Sequence, residues 1–119
     1  MQTETKSRVE QLSSRAGHPV AVLRFEGDIA STSKDAVLGA YHALPKKDAK
    51  SILLDFSKVD YINSSGIALV IQLMIEAANA GRKVSAFGLS PHFSKVFMMV
   101  GITKYAKLFP TEADAMAAL

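Results

Sequence analysis

The sequence predicts an α/β fold, a sheet that is mainly parallel and covered by crossover helices. Three observations lead there. Short apolar runs alternate with helical patterns along the chain, the mark of an α/β layer. The run Ser51-Ile52-Leu53-Leu54 is apolar without alternation, as in a strand buried on both faces. Turn and cap residues separate the segments: Gly17-His18-Pro19, Gly81, Ser90-Pro91 and Gly101.

In chain order, residues 7–13 read as an edge strand with little but Val9 to anchor it, and Gly17-His18-Pro19 as a turn. Residues 21–25 form a strand that pairs with the first as an antiparallel hairpin. Thr32-x-x-Asp35 resembles a capping box with Asp in place of Glu. The helix it opens carries Val37, Ala40, Tyr41 and Leu44 on one face and ends at Pro45-Lys46-Lys47-Asp48. Residues 51–56 form the central strand. A long apolar helix over residues 65–80 stops at Gly81. Residues 84–88 form another strand. Ser90 caps a helix with Pro91 at its first position, Phe93, Val96, Phe97 and Val100 on its buried face, and Gly101 closing it. Met98 and Met99 fall off that face and read as gap-filling core. Residues 107–109 give a short last strand, and Thr111-Glu112 opens an Ala-rich helix.

The chain has 119 residues, nearly half of them hydrophobic, which suits one domain. It has no cysteine, which excludes disulfides and thiolate metal sites and fits a reducing cytoplasm, the expected location. The stretch 2–11 is polar and charged, unlike a signal peptide. The longest apolar run of the main helix, residues 67–71, is too short to insert in a membrane. Net charge is +3, with Lys46, Lys47, Lys50, Lys58, Lys95, Lys104 and Lys107 scattered and no interleaved aromatics. A solvated surface is expected, and no direct nucleic-acid contact.

The segment between the central strand and the main helix, Asp55-Phe56-Ser57-Lys58-Val59-Asp60-Tyr61-Ile62-Asn63-Ser64-Ser65-Gly66, holds most of the chemical interest. It sets two serines where a helix begins, beside unpaired N–H groups and the positive end of the macrodipole. A phosphate is favoured there. Locally, the simpler reading is that a serine caps the helix. Against it, Ile67 and Ala68 stand where a capping box needs Glu or Gln. Gly66 in the first turn costs up to about 1 kcal/mol relative to Ala and lets another group approach closely.

The strand, the D-x-S-x-V-x-x-I segment, the Ser64-Ser65-Gly66 turn and the apolar helix after it resemble the STAS domain, in particular the bacterial anti-sigma factor antagonists. Residues 20–29, ending Gly27-Asp28-Ile29, resemble that family's second strand. The likeness runs from about residue 6 onward, so 1–119 reads as a single STAS domain. It implies a mixed sheet with helices largely on one side. It also implies an anti-sigma factor that is a serine kinase as partner, phosphorylation of Ser64 using ATP, and a serine phosphatase that reverses it. The implied partner-binding surface is Asp28, Ser31, Asn63, Ser64, Ser65, Gly66 and Leu69. The sequence departs from the family at Asn63, where Asp is usual, and at Ala30, where a second acid is frequent.

Other chemistry is sparse. His18, His42 and His92 lack metal-ligand spacing and read as surface residues. Ser64 lies in no G-x-S-x-G elbow and has no evident base, and no P-loop or dinucleotide fingerprint occurs. No enzyme and no cofactor are therefore expected. Asp55 and Asp60 read as a local hydrogen bonder and a turn former rather than as paired acids. On the main helix Ile67, Val70, Ile71, Met74, Ala77 and Ala78 share one face, with Leu73 at its margin. Leu69 falls on the polar side, either a single exposed apolar residue or a contact for a partner. Two alternatives to the antagonist remain: an accessory STAS subunit without a phospho-switch in a membrane-associated complex such as one for lipid transport, and a nucleotide- or small-ligand-binding module.

Overall fold

β1 (Lys6–Ser13) and β2 (Pro19–Ile29) form the expected antiparallel hairpin, paired from Lys6 with Glu26 to Ser13 with Pro19. Gly17, at φ 81°, and the Ser14 hydroxyl, which accepts the His18 N–H at 3.1 Å, close the turn. The computed structural model describes residues 4–44 and 50–119. The helix end expected at Pro45-Lys46-Lys47-Asp48 lies outside the described residues.

β3 (Ser51–Ile62), β4 (Lys83–Phe87) and β5 (Lys107–Phe109) add in parallel, so the strands stand in sequence order with β3 at the centre. Residues Ser51 to Phe56 of β3 are all buried, as their apolar run requires. The strand then runs six residues past its expected end. Two register shifts against β2 insert extra residues in β3, between the partners of Arg24 and Glu26 and between those of Gly27 and Asp28. Asp60 sits at the second shift, exposed within a strand, and not in a turn.

After β2 the chain is helical but irregular. Ser31–Ser33 is a 3-10 turn, Asp35–Gly39 has π pitch, and α1 is only Ala40–His42. The Thr32–Asp35 box does not form; the Ser33 hydroxyl accepts the Ala30 N–H at 2.8 Å instead. Side chains that bond the backbone and a mid-segment Gly39 both weaken regular helix. The wide turn lets Leu38 join Val37, Tyr41 and Leu44 in the core.

α2 (Ser64–Asn79) ends as expected: Gly81, at φ 83°, donates to Ala78 O, and Arg82 donates to Ala77 O, a Schellman closure. Its buried side is rotated from the expected one. Gly66, Val70, Leu73, Met74 and Ala77 are buried, while Ile67, Ile71 and Ala78 are half-buried. Leu73 goes under because α2 has two neighbours, the sheet below and the irregular segment beside it. α3 (Pro91–Met99) starts on the Ser90 cap, whose hydroxyl accepts the Phe93 N–H at 3.2 Å. Only its Phe97 is fully buried; Val100, Met98 and Met99 are exposed, against expectation. α4 (Glu112–Ala117), capped by Thr111, is the helix on the opposite face, where Ala115 packs with Val20, Val22, Leu53 and Phe87. The other helices cover the larger core on the first face. Among the described residues no helix is long and apolar enough to cross a membrane.

Candidate functional site: the β3–α2 turn

β3 ends on buried Ile62, and the chain enters α2 through Asn63, whose backbone is extended at φ −83° and ψ 178°. The Asn63 side-chain carbonyl accepts the Gly66 N–H at 2.8 Å. Asn63 is therefore the helix cap, and the serine cap expected locally is corrected. Asn serves this role as well as Ser does, and the length of β3 decides which residue arrives there. The Asn63 N–H donates to Ile29 O at 3.1 Å, which ties the helix start to the end of β2.

Ser64 and Ser65 follow as the first two residues of α2, both exposed. Among the described residues neither hydroxyl has a hydrogen-bond partner. Their N–H groups lie at the open, positive end of the helix, whose first turn holds no acid. Gly66 is buried, and a methyl group on its Cα would lie 2.2 Å from Ile29 O. The close approach expected at this glycine is the contact with β2.

The end of β2 supplies the neighbouring surface. Asp28 is half-buried, and its carbonyl accepts the Thr5 hydroxyl, which also meets the Ser33 hydroxyl. Ser31 is exposed on a turn that packs against α2. A cavity of about 450 Å³ beside Asp28 is lined by Glu4, Thr5, Thr32, Ser33, Asp35 and Ala36. Leu69 is half-buried against the core, less exposed than a free contact residue but still on the surface. Sequence reasoning missed Tyr61. It is 55% exposed, with its ring edge-on to Phe93 at 5.9 Å. Strand alternation held the signal: with Ile62 inward, Tyr61 points out.

Asp55 does bond locally, accepting the Ser57 N–H at 2.8 Å and the Ser57 hydroxyl at 2.6 Å. It also pairs with Arg24 at 2.8 Å, and Arg24 reaches Glu112 at 2.7 Å and Glu10 at 3.1 Å. The Glu112 hydrogen bond first, then those of Asp55 and Glu10, push the Arg24 guanidinium still higher than usual, against the opposing effect of burial. This network lies on the α4 side of the sheet. His18 and His92 are exposed, and exposed His42 meets Glu76 at 2.7 Å. That contact, more than any other, lowers the Glu76 carboxyl below its ordinary value.

Three solved structures share this architecture. An anti-sigma factor antagonist from Mycobacterium paratuberculosis superposes with a TM-score of 0.79 at 19% identity, over 99% of this chain and 97% of that one. The Bacillus cell fate determinant SpoIIAA in its phosphorylated form gives 0.63 at 20% identity, over 94% and 97%. A sulfate transporter family protein from Wolinella succinogenes gives 0.72 at 16% identity, over 83% of each chain. The sequence itself matches the model of the STAS domain over residues 11–115. With a five-stranded mixed sheet, helices largely on one face and most of its length inside that match, the chain belongs to the STAS domain family.

Proposed function

We propose that this protein is an anti-sigma factor antagonist whose binding surface is the β3–α2 turn and whose switch is reversible phosphorylation of Ser64. The observation that carries the reading is the division of labour at the helix start. Asn63 does the capping, so the Ser64 hydroxyl is exposed and uncommitted. The structural likeness to SpoIIAA, solved in a phosphorylated form, and to a mycobacterial antagonist supports the same reading.

The chemistry follows from position. An anti-sigma factor that is a serine kinase brings ATP to Ser64; the hydroxyl oxygen attacks the γ-phosphorus, ADP leaves, and the proton passes to the kinase. The product carries about −1.5 to −2 charges at a helix end that favours anions. The modified protein therefore tolerates its own phosphate. The partner does not, because a surface fitted to Ser64, Ser65, Gly66 and Leu69 has to desolvate a dianion. A serine phosphatase restores the binding form. In this reading the protein is a binding partner in the cytoplasm and performs no catalysis; it binds no nucleic acid and needs no cofactor. Asp28 and Ser31 extend the contact surface from the end of β2.

The test begins with the protein that co-purifies from the source cells. After incubation with it and ATP, intact mass gains one phosphate, and peptide mapping places it on Ser64. Phosphate on Ser65, Ser31 or Thr32 instead would overturn the assignment. In calorimetry Ser64→Ala keeps wild-type affinity even with ATP, and Ser64→Asp binds more weakly. Equal affinities for all three proteins would leave the accessory subunit without a switch as the better reading.

A further inference from the structure

The amino-terminal edge of the sheet, opposite the serine turn, gathers cations that the sequence scatters. Lys83 begins β4, Lys107 begins β5, Lys50 directly precedes β3, and Lys104 ends the 3-10 turn Ile102–Lys104. All four are exposed. Lys83 donates its N–H to Lys50 O at 2.8 Å, so these two are adjacent. A depression of about 290 Å³ is lined by Lys83, Lys104 and Lys107, and a second of about 500 Å³ by Lys50 and Lys83. Among the described residues no Asp or Glu lines either.

The same edge carries an apolar tip. α3 runs back from the serine edge and ends in Met98 and Met99, with Val100 next, and these are 59%, 77% and 54% exposed. Gly101, at φ 82°, then turns the chain into the segment that holds Lys104. Three consecutive large apolar residues left in water mark a surface that something covers. Phe97 of α3 is buried and Phe93 packs on the core, while Met98, Met99 and Val100 join neither core, so burial in the monomer is not what placed them there.

We propose that this edge docks on an anionic lipid bilayer, with Met98, Met99 and Val100 entering the headgroup boundary and Lys50, Lys83, Lys104 and Lys107 lying against the anionic headgroups. Charge complementarity and the joining of two chemistries select the occupant. An apolar patch alone fits a protein partner, and a lysine cluster alone fits any polyanion. Exposed apolar residues on the same edge as the lysines, with no Asp or Glu among the described residues that line its two depressions, match the interfacial anchor, where buried apolar area and electrostatic attraction add. Flexible, unbranched methionines suit a fluid phase, and lysine stems reach outward with their charge at the end. Each lysine near such a surface strengthens binding about fivefold, and salt screens the effect. The serine turn then faces away from the bilayer, so docking and phosphorylation do not compete.

Flotation of the full chain with vesicles tests this. The protein floats with vesicles of phosphatidylcholine mixed with phosphatidylglycerol, stays behind with phosphatidylcholine alone, and is released by high salt. Lys104→Glu with Lys107→Glu lowers partitioning by about 25-fold or more. Met98→Ser with Met99→Ser lowers it about tenfold, with the melting temperature kept, since both side chains are exposed. Ser64→Ala partitions as wild type, so failure on lipid leaves the serine reading standing. No preference for the anionic vesicles, wild-type partitioning by either double variant, or binding to duplex DNA or polyglutamate in place of vesicles would overturn the proposal.

Discussion

At the scale of single residues, Asn63, Ser64 and Gly66 hold neighbouring positions but do different physical work. Asn63 satisfies the Gly66 N–H, so Asn63→Ala removes a cap and is expected to cost about 0.5–2 kcal/mol. Ser64→Ala removes only an exposed hydroxyl and should stay within about 0.5 kcal/mol of wild type. Urea midpoints measure both, and a larger loss at Ser64 than at Asn63 would reverse the roles. At Gly66 two effects of an added methyl group oppose each other. Helix propensity favours Ala by about 1 kcal/mol. The methyl group would sit 2.2 Å from Ile29 O, inside contact distance of backbone that the Asn63 N–H also holds. Overpacking of this kind costs about 1–3 kcal/mol or more, so Gly66→Ala is expected to destabilise and to pry α2 from β2. The close approach was legible in the sequence, because a glycine in a first turn needs a reason. The cap was not, because Asn, Ser and Ser are all good caps and only the end of β3 selects among them.

At the scale of elements, one side chain links four of them on the α4 side of the sheet. Arg24 on β2 binds Glu10 on β1, Asp55 on β3 and Glu112 on α4. Asp55 is buried, so Arg24→Met strands a carboxylate that, among the described residues, keeps only Ser57 as a partner. A loss of about 3 kcal/mol is expected. Glu112→Gln touches a partner that is more than a third exposed and should cost about 1 kcal/mol or less. Denaturant unfolding followed by circular dichroism checks the ranking; equal losses would mean that Arg24 acts mainly through α4. This network was illegible in the sequence, since Arg24 and Glu112 meet only after the whole sheet has formed. Elements with local punctuation were legible: the Ser90-Pro91 start, the Gly81 stop and the Thr111 cap all form where the residues place them. Elements shaped by neighbours were not. β3 runs past Phe56 because β2 continues beside polar residues that bulge into register. Leu73 is buried because α2 has a second neighbour, whereas of α3 only Phe97 goes fully under and the end of the helix stays exposed.

At the scale of the whole molecule, the serine turn and the lysine edge stand at opposite ends of the parallel strands. β3 spans 12 residues, about 40 Å at roughly 3.3 Å per residue. At physiological salt the Debye length is about 8 Å, so a charge added at Ser64 is largely screened before the far edge. The charge also lands outside both cores, at a helix end that favours it. Phosphorylation is therefore expected to change what the protein meets at one edge and not how it is folded. Ser64→Asp, a milder stand-in with less charge than a phosphate, should keep the melting temperature and the vesicle partitioning of wild type. Amide chemical shifts should move in the first turns of α2 and at the Asp28–Ser31 end of β2, because Asn63 and Gly66 couple those two segments directly. They should not move in α4 or at Lys104 and Lys107. Shifts that spread into α4 would mean that charge at Ser64 is carried through the sheet, and the switch would then be a change of conformation instead of a change of surface.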